Sequence, residues 1–390
     1  HQQSTRRQPR SLRYFVQAAS NHRMGVSPNH SQAFHLQRLK RALCVLYLVF
    51  LSLFVPTAVQ AQSPVVAVWL PLQSGTLDTL GASGKPLDKG TAMAWEFAAG
   101  FRLMADSLNL EVVWIDEFSK SVFRINGQTV PGYPALGAEL NRAGIRMVVG
   151  PMQSSASEQL AQTWKGIVVN PVSRSTSVEG NANLWAATPR DQDEAYGMGF
   201  CLTELCTTYQ ILPYTESSPT AGKPIMKESQ FQAGFAARKN QASSEVSPAF
   251  AVPKVPCRVL PAGSTATLLK TVAAHPTGSR LVLVGSAAES PSLEPRTFVQ
   301  KDVVWSEIET WDYANPGLQQ WAGAYTQHWN AEPGRWSYHG MAVAQWVNAQ
   351  IQSGDWSRPV PLETPFKVFR WYQPEPTSGY ANYGVRWARP

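Results

Sequence analysis

Two short stretches hold the residues best suited to chemistry: Leu70-Pro71-Leu72-Gln73-Ser74-Gly75 and Gly150-Pro151-Met152-Gln153-Ser154-Ser155. Each follows an apolar run, Ala67-Val68-Trp69-Leu70 in the first case and Met147-Val148-Val149 in the second. Each reads as a strand that runs into a small polar turn. Open α/β sheets bind small ligands where strands end in Gly, Ser and backbone amides beside a helix N-terminus. Unpaired N–H donors and partial positive charge collect there. The chemistry on offer is capture of a small group by hydroxyls and amides. The plainer alternative for Ser154 and Ser155 is that they cap the helix that follows. For Gln73 and Ser74 it is turn formation. Patterns for bond-breaking are absent: there is no G-x-S-x-G, H-E-x-x-H or phosphate loop, and no S-x-x-K with S-D-N. The pair Asp191/Asp193 falls at a helix start, where the dipole favours acids. Three His residues follow position 61, and no metal-ligand spacing occurs among them and the cysteines. The expectation is a binding protein with no catalytic residues, no metal and no cofactor.

The formal charge of +7 is concentrated at one end. Residues 1–61 carry eight Arg or Lys and no acid, leaving 26 basic and 27 acidic residues in the rest. The rest is near neutral, which removes the main support for a nucleic-acid partner. Arg38, Lys40 and Arg41 precede a short apolar run, Leu43 to Val55, and then Ala58-Val59-Gln60-Ala61. This is the pattern of a secretory signal peptide cleaved before Gln62, and the run is shorter than a membrane span. An uncleaved anchor is the alternative. The expected location is the periplasm or the medium. Cys44 lies at the start of the apolar run rather than at the cleavage point, so no lipid-attachment cysteine is read. Cys201, Cys206 and Cys257 remain, and an oxidising compartment favours one disulfide. Cys201 and Cys206 are five apart on an expected helix, which suits a bridge less well than a loop partner does. Cys206–Cys257 is the pairing favoured, with one thiol left over.

The elements that must position these residues alternate between strand and helix, which implies parallel sheets covered by helices. Strands are expected at 65–70, 110–116, 145–149, 167–170, 209–214, 280–285 and 302–308, with a short extended piece at 184–188. Helices are expected at 91–107, 133–143, 155–164, 191–208, 227–239, 264–275, 316–329 and 338–352. Gly144 stands in the C-cap position of the second. Residues 248–256 read as irregular and Pro-rich, and 366–371 with 384–387 as a terminal pair of strands. Nine of the 14 Trp residues fall in the last 90 positions. They suit core packing better than a sugar platform.

Several segments resemble the type I periplasmic binding proteins, the family of leucine/isoleucine/valine-binding proteins and amide-binding relatives of ABC importers. Leu70 to Gly75 is similar to that family's first-strand loop. Gly144-Ile145-Arg146-Met147-Val148-Val149-Gly150-Pro151 is similar to its G-x-x-x-(I/V)-(I/V)-G-P turn, and Val168 to Ser173 to the strand that follows. Trp185 through Pro189, with Asp191 and Gln192, resembles the segment that enters the second lobe. Tyr325, Trp329, Pro333, Tyr338 and Gly340 resemble a helix pair near the end. The resemblance spans most of residues 64–387, outside 209–300, where the usual strand-turn is missing.

The resemblance implies an α/β fold: two doubly wound parallel-sheet lobes joined by a hinge. The expected division is 1–61 as leader, 62–190 as the N-terminal lobe, 191–315 as the C-terminal lobe, and 316–390 completing both. It implies that Ser154 or Ser155 meets a ligand carboxylate, and that Ser173, Ser175 and Thr176 form a second ligand loop, an ordinary polar loop being the alternative. Gln73 and Ser74 would contact ligand from the first loop. In the second lobe Tyr214 would lay its ring on an aliphatic ligand and Glu307 would hold an ammonium, a surface carboxylate being the bland alternative. Arg174 departs from the usual small residue; it would pair with an extra acidic group on the ligand or face solvent. The implied function is a monomeric solute-binding protein that captures a small amino acid, amide or related carboxylate and presents it to an ABC permease. The alternative is a regulator of the penicillin-binding-protein-activator type, a fold relative that acts on a peptidoglycan synthase by protein contact.

Overall fold

The computed structural model describes residues 66–73, 88–119, 121–212, 228–240, 253–260, 265–283, 295–309 and 313–388. The leader with its cleavage point, Ser74 and Tyr214 lie outside the described residues.

The first sheet is built around β1 (Val66–Leu70), which pairs in parallel with β2 (Val112–Ser119) on one side and β5 (Met147–Val149) on the other. It continues in parallel through β6 (Ile167–Asn170) and β7 (Leu184–Ala186) to β15 (Tyr380–Asn382), and ends at antiparallel β14 (Trp371–Tyr372). Beyond β2 it carries an antiparallel meander of β3 (Val122–Ile125) and β4 (Gln128–Pro131). The alternating pattern of the sequence does not anticipate this meander. Its signal is Asn126-Gly127, where both residues have positive φ. A tight two-residue hairpin turn requires that conformation.

All five residues of β1 are buried. Both faces of a central parallel strand are covered, so no polar alternation is needed. Val66, Val68 and Leu70 enter one core with α1 (Lys89–Ser107) and α9 (Arg335–Ser353). Ala67 and Trp69 enter the other with α2 (Gly132–Arg142) and α3 (Ser154–Thr163). α1 starts where the Asp88 carboxylate accepts hydrogen bonds from the amides of Gly90 and Thr91, at 2.9 and 3.0 Å. This is the usual work of an acidic N-cap. α8 (Pro316–Trp329) has an Asn315 cap and a Pro in its first turn, and it joins the α1/α9 core through Leu318, Trp321 and Tyr325. Trp346 packs on Trp185 and Trp371 in that core, with centroids 6.2 Å and 5.1 Å away. These indoles are structural.

The second sheet runs β8 (Cys206–Ile211), β9 (Val255–Leu260), β10 (Arg280–Leu283) and β11 (Val303–Glu307) in parallel, with β16 (Arg386–Ala388) antiparallel at the edge. Val259, Val282 and Val304 face a core with α4 (Asp191–Leu202) and α5 (Glu228–Asn240). Leu260, Leu281, Leu283 and Val303 face another that takes in Val272 of α6 (Thr265–Ala274). A short helix, α7 (Pro295–Gln300), precedes β11.

Three sequence expectations are corrected here. The helix expected over 191–208 ends at Leu202, and the Cys-Thr-Thr-Tyr run with its β-branched residues becomes β8. The segment expected to be irregular up to Pro256 already enters β9 at Val255. The terminal strands do not pair with each other: β14 pairs with β15, β16 pairs with β11, and β13 (Val368–Phe369) pairs with β12 (Leu362–Glu363). Cys206 and Cys257 are joined in a disulfide with their Cα atoms 5.6 Å apart, and Cys201 is a buried thiol. Among the described residues no helix is long and apolar enough to cross a membrane.

Candidate functional site

The loops after β1, β5 and β6 emerge side by side at the C-terminal edge of the first sheet, because these strands are parallel neighbours in the order β6-β5-β1. The loop after β5 turns through a cis Gly150–Pro151 bond, and Gly150 has φ +104°. A Cβ there would lie 1.9 Å from the Trp69 carbonyl oxygen. Only glycine lets β5 pass this close to β1.

Asn170, the last residue of β6 and fully buried, ties two of these loops together. Its Nδ2 donates to the carbonyls of Pro151 (3.0 Å) and Met152 (3.3 Å) and to Ser157 Oγ (2.8 Å). Its Oδ1 accepts from the amides of Val172 (3.2 Å) and Ser173 (2.8 Å). Sequence reasoning missed this residue. The available signal was a lone amide closing an otherwise apolar strand, Ile167-Val168-Val169-Asn170.

That clamp brings together three of the expected residues. Ser154 Oγ lies 3.1 Å from Ser175 Oγ, which lies 2.9 Å from Ser173 Oγ. The Ser175 amide also donates to Ser173 Oγ at 3.2 Å. Ser154 opens α3, but neither it nor Ser155 is the cap. The N-cap is Gln153, and it provides no side-chain hydrogen bond, which corrects the expectation of a Ser cap. Ser155 is exposed on the first turn. Thr176 is buried, and its Oγ1 has no hydrogen-bond partner among the described residues.

Gln73 has φ +50°, and its amide donates to Asp116 Oδ1 at 2.9 Å. The preceding carbonyl, Leu72 O, accepts from Trp95 Nε1 at 3.1 Å. The first loop is therefore held by its backbone. Glu307, the last residue of β11, belongs to the second sheet and accepts from Trp305 Nε1 at 2.8 Å.

Arg174 neither faces solvent alone nor waits for a ligand acid. Its Nη2 lies 2.7 Å from Asp191 Oδ1 and 2.6 Å from Glu194 Oε2. It thus runs from the hydroxyl loop of the first sheet to the first turn of α4, which packs on the second.

Beneath the loop lies a charge cluster that sequence reasoning also missed. Lys367 is fully buried and donates from Nζ to Thr188 Oγ1 at 2.9 Å; that hydroxyl donates to the Pro171 carbonyl at 2.8 Å. Glu309 makes a β-bridge to Lys367 and accepts from both arms of Arg335 (2.7 and 2.8 Å) and from His339 Nε2 (2.6 Å). Burial pushes His339 down to about 4, with Lys367 acting the same way against Glu309. Burial also works to raise Glu309, but the hydrogen bonds from His339 and Arg335 hold it well below the usual carboxylate range. Glu309 is the anion here and His339 is neutral at pH 7. Burial pushes Lys367 down to about 7, opposed by Glu309 and reinforced by Arg335 and Arg174. Among the described residues no cluster of His, Cys, Asp and Glu could hold a metal ion.

Hydroxyls at strand ends, a helix start beside them, and a second parallel sheet reached through Asp191 make a two-lobe arrangement. Solved structures align with most of the chain. A Desulfitobacterium hafniense ABC transporter substrate-binding protein in complex with Leu aligns over 83% of this chain and 96% of its own, at 14% identity and TM-score 0.39. Haemophilus influenzae LpoA aligns over 85% of this chain at 13% identity and TM-score 0.50, and the match spans 58% of that protein. Its C-domain, described as a regulator of PBP1A, aligns over 83% of this chain and 96% of its own, at 13% identity and TM-score 0.45.

The fold is that of the type I periplasmic binding proteins. No family model and no curated protein matches the chain. A periplasmic-binding-protein-like fold hosts both solute carriers and regulators, so the site has to decide between them.

Proposed function

We propose that this chain is an exported solute-binding protein, not an enzyme, that holds a small amino acid, amide or related carboxylate between its lobes for an ABC importer. The observation that carries this reading is the cluster of Ser154, Ser173 and Ser175 hydroxyls beside the start of α3, whose N-cap residue Gln153 gives that helix no side-chain hydrogen bond. Hydroxyls both donate and accept, and helix-start amides favour an anion. Closure of the lobes about their connections would bury the solute and make the surface a permease recognises.

The Arg174 bridge to Asp191 and Glu194 favours a second reading, because it joins the lobes without any solute. On that reading the protein is a regulator that acts on a peptidoglycan synthase by contact.

The experiment is thermal unfolding of the purified protein with amino acids, amides, small carboxylates and peptidoglycan fragments. A solute at 100 times its dissociation constant adds about 2.7 kcal/mol, a rise of about 5 °C. Ser175→Ala should abolish most of that rise while leaving the unliganded midpoint within about 1 °C. No rise with any compound refutes solute capture and directs the search to a protein partner.

A further inference from the structure

Glycine in mid-helix has a consistent use in this chain. Gly100, Gly197, Gly199, Gly234 and Gly340 each lie where a second stretch of backbone passes close to the helix. An added Cβ would come within 1.9–2.2 Å of the carbonyl oxygens of Ser337, Tyr383, Phe231, Tyr196 and Phe97 respectively. Gly323, in the middle of α8, differs: an added Cβ would meet nothing within 4 Å. A helical glycine costs stability relative to Ala. Among the described residues no close approach offsets that cost at Gly323. The face around it is unusual too. Leu318, Trp321 and Tyr325 enter the core, whereas Gln319, Gln320, Gly323, Ala324, Gln327 and His328 are exposed. Trp329 closes the helix with 38% of its surface exposed. From Tyr313 to Ala331 the sequence has no Asp, Glu, Lys or Arg, although the outer face of a surface helix ordinarily carries charges.

We propose that this face of α8 docks on the same helix of a second copy of this chain, antiparallel, about a two-fold axis between Gly323 and Ala324. The sequence pattern is its own complement under that rotation. Gln320 meets Gln327 of the second copy, Gln319 meets His328 of the second copy, and Gly323 meets Ala324 of the second copy. A two-fold interface requires such self-complementarity. A side-chain amide both donates and accepts, so two Gln residues pair with either orientation. Gln319 already donates to the Tyr313 carbonyl at 2.9 Å, which leaves its amide oxygen to accept from His328 of the second copy. Small residues at the crossing let the two backbones approach to about 8 Å, the short end of helix packing distances. With no charge on the face, the symmetry sets no like charges together. Trp329 covers the first turn of the second copy's helix. The face is small beside the roughly 20–30 residues of a standard interface, so the dimer forms in a concentration-dependent way. This pairing departs from the monomer that the family resemblance implies, and it holds whatever the cleft binds.

The test is sedimentation velocity of the whole purified protein from about 1 µM to about 300 µM, a span that brackets a micromolar dissociation constant. The wild type should pass from monomer to dimer across it. Gly323→Glu sets two carboxylates against each other at the axis and should raise the dissociation constant about ten-fold or more. Its unfolding midpoint at low concentration should not fall, because Glu forms helix better than Gly. Gln320→Glu combined with Gln327→Lys faces opposite charges across an antiparallel pair and like charges across a parallel one. The double variant should therefore dimerise at least as tightly as the wild type. A wild type that stays monomeric throughout overturns the proposal and leaves the face to a helix of a different protein. A dimer that Gly323→Glu leaves intact overturns it as well, since another surface then makes the contact. A double variant that dimerises more weakly than the wild type overturns the antiparallel pairing.

Discussion

Replacing Lys367 by Met should stabilise the protein near neutral pH and below, although it deletes a hydrogen bond. Lys367 is fully buried, donates to Thr188 Oγ1, and has its Nζ 5.7 Å from the Phe369 ring. Burial brings its pKa from the ordinary 10.5 down to about 7. The unfolded chain therefore holds this proton between about pH 7 and 10.5 while the folded chain does not. Stability rises with pH across that window, and the cost of the buried charge is fully present below it. A gap of about 3.5 pH units at about 1.4 kcal/mol each caps the cost at about 5 kcal/mol; relaxation around the charge brings it to about 2–3 kcal/mol. Against this, loss of the bond to Thr188 costs about 1 kcal/mol. The Thr188 hydroxyl keeps the Pro171 carbonyl as its acceptor. Met is of similar length, flexible and apolar, and fills the space without a new polar group. The net expectation for Lys367→Met is a gain of about 1–2 kcal/mol at pH 6, shrinking to zero or a slight loss by pH 10. Urea unfolding of both proteins at pH 6, 7.5 and 9 measures it. Two results refute the reasoning: a variant clearly less stable than the wild type at pH 6, or a difference that does not change with pH.

Gly340→Ala in α9 should cost more than about 3 kcal/mol. Its Cβ would lie 2.2 Å from the Phe97 carbonyl oxygen and 2.6 Å from the Phe101 amide of α1, both backbone atoms that cannot give way. A fall in unfolding midpoint of less than about 3 °C would show that the two helices can part. Removing the disulfide as Cys206→Ala with Cys257→Ala should lower stability by about 4 kcal/mol, since the bridge closes a long loop. Its two cysteines are separated by 51 positions. An unchanged urea midpoint would mean that the strand pair β8/β9 already restrains the unfolded chain.

The lobes were legible in the sequence because apolar strands alternate with helical segments, and the central strand β1 needs no polar face; helix ends were less so, since the helix from Ser154 has no side-chain cap and the one from Asp191 stops at Leu202. Ser154, Ser173 and Ser175 were legible because a strand end followed by Ser is a local pattern. Arg174 was not. Its partners lie 17 and 20 residues away, and nothing local says that the chain returns to place them beside it. Lys367 was hidden for the same reason, its hydrogen-bond partner being 179 residues distant. The β3–β4 hairpin is a different kind of miss. Asn126-Gly127 is a strong turn signal, outweighed by the alternation of strand and helix on either side of it.

Single polar residues at strand ends do the positioning that the apolar strands cannot. Asn170 fixes the loops after β5 and β6 to each other, and Asn382 does the corresponding work where the chain passes between sheets. Fully buried, Asn382 donates to the carbonyls of Ala187 (2.8 Å) and Val368 (3.2 Å), and accepts from the amides of Arg370 (2.9 Å) and Gly384 (2.8 Å). It thereby joins the end of β7, strand β13 and the passage from β15 to β16. An apolar residue of the same shape would leave four buried backbone groups without these partners, at about 1–3 kcal/mol each. A hydrophobic strand pattern specifies which face of a sheet is covered and tolerates many sequences. A four-way amide tolerates one geometry, so Asn382 fixes how the chain leaves β15 for β16 beside the end of β7 and strand β13.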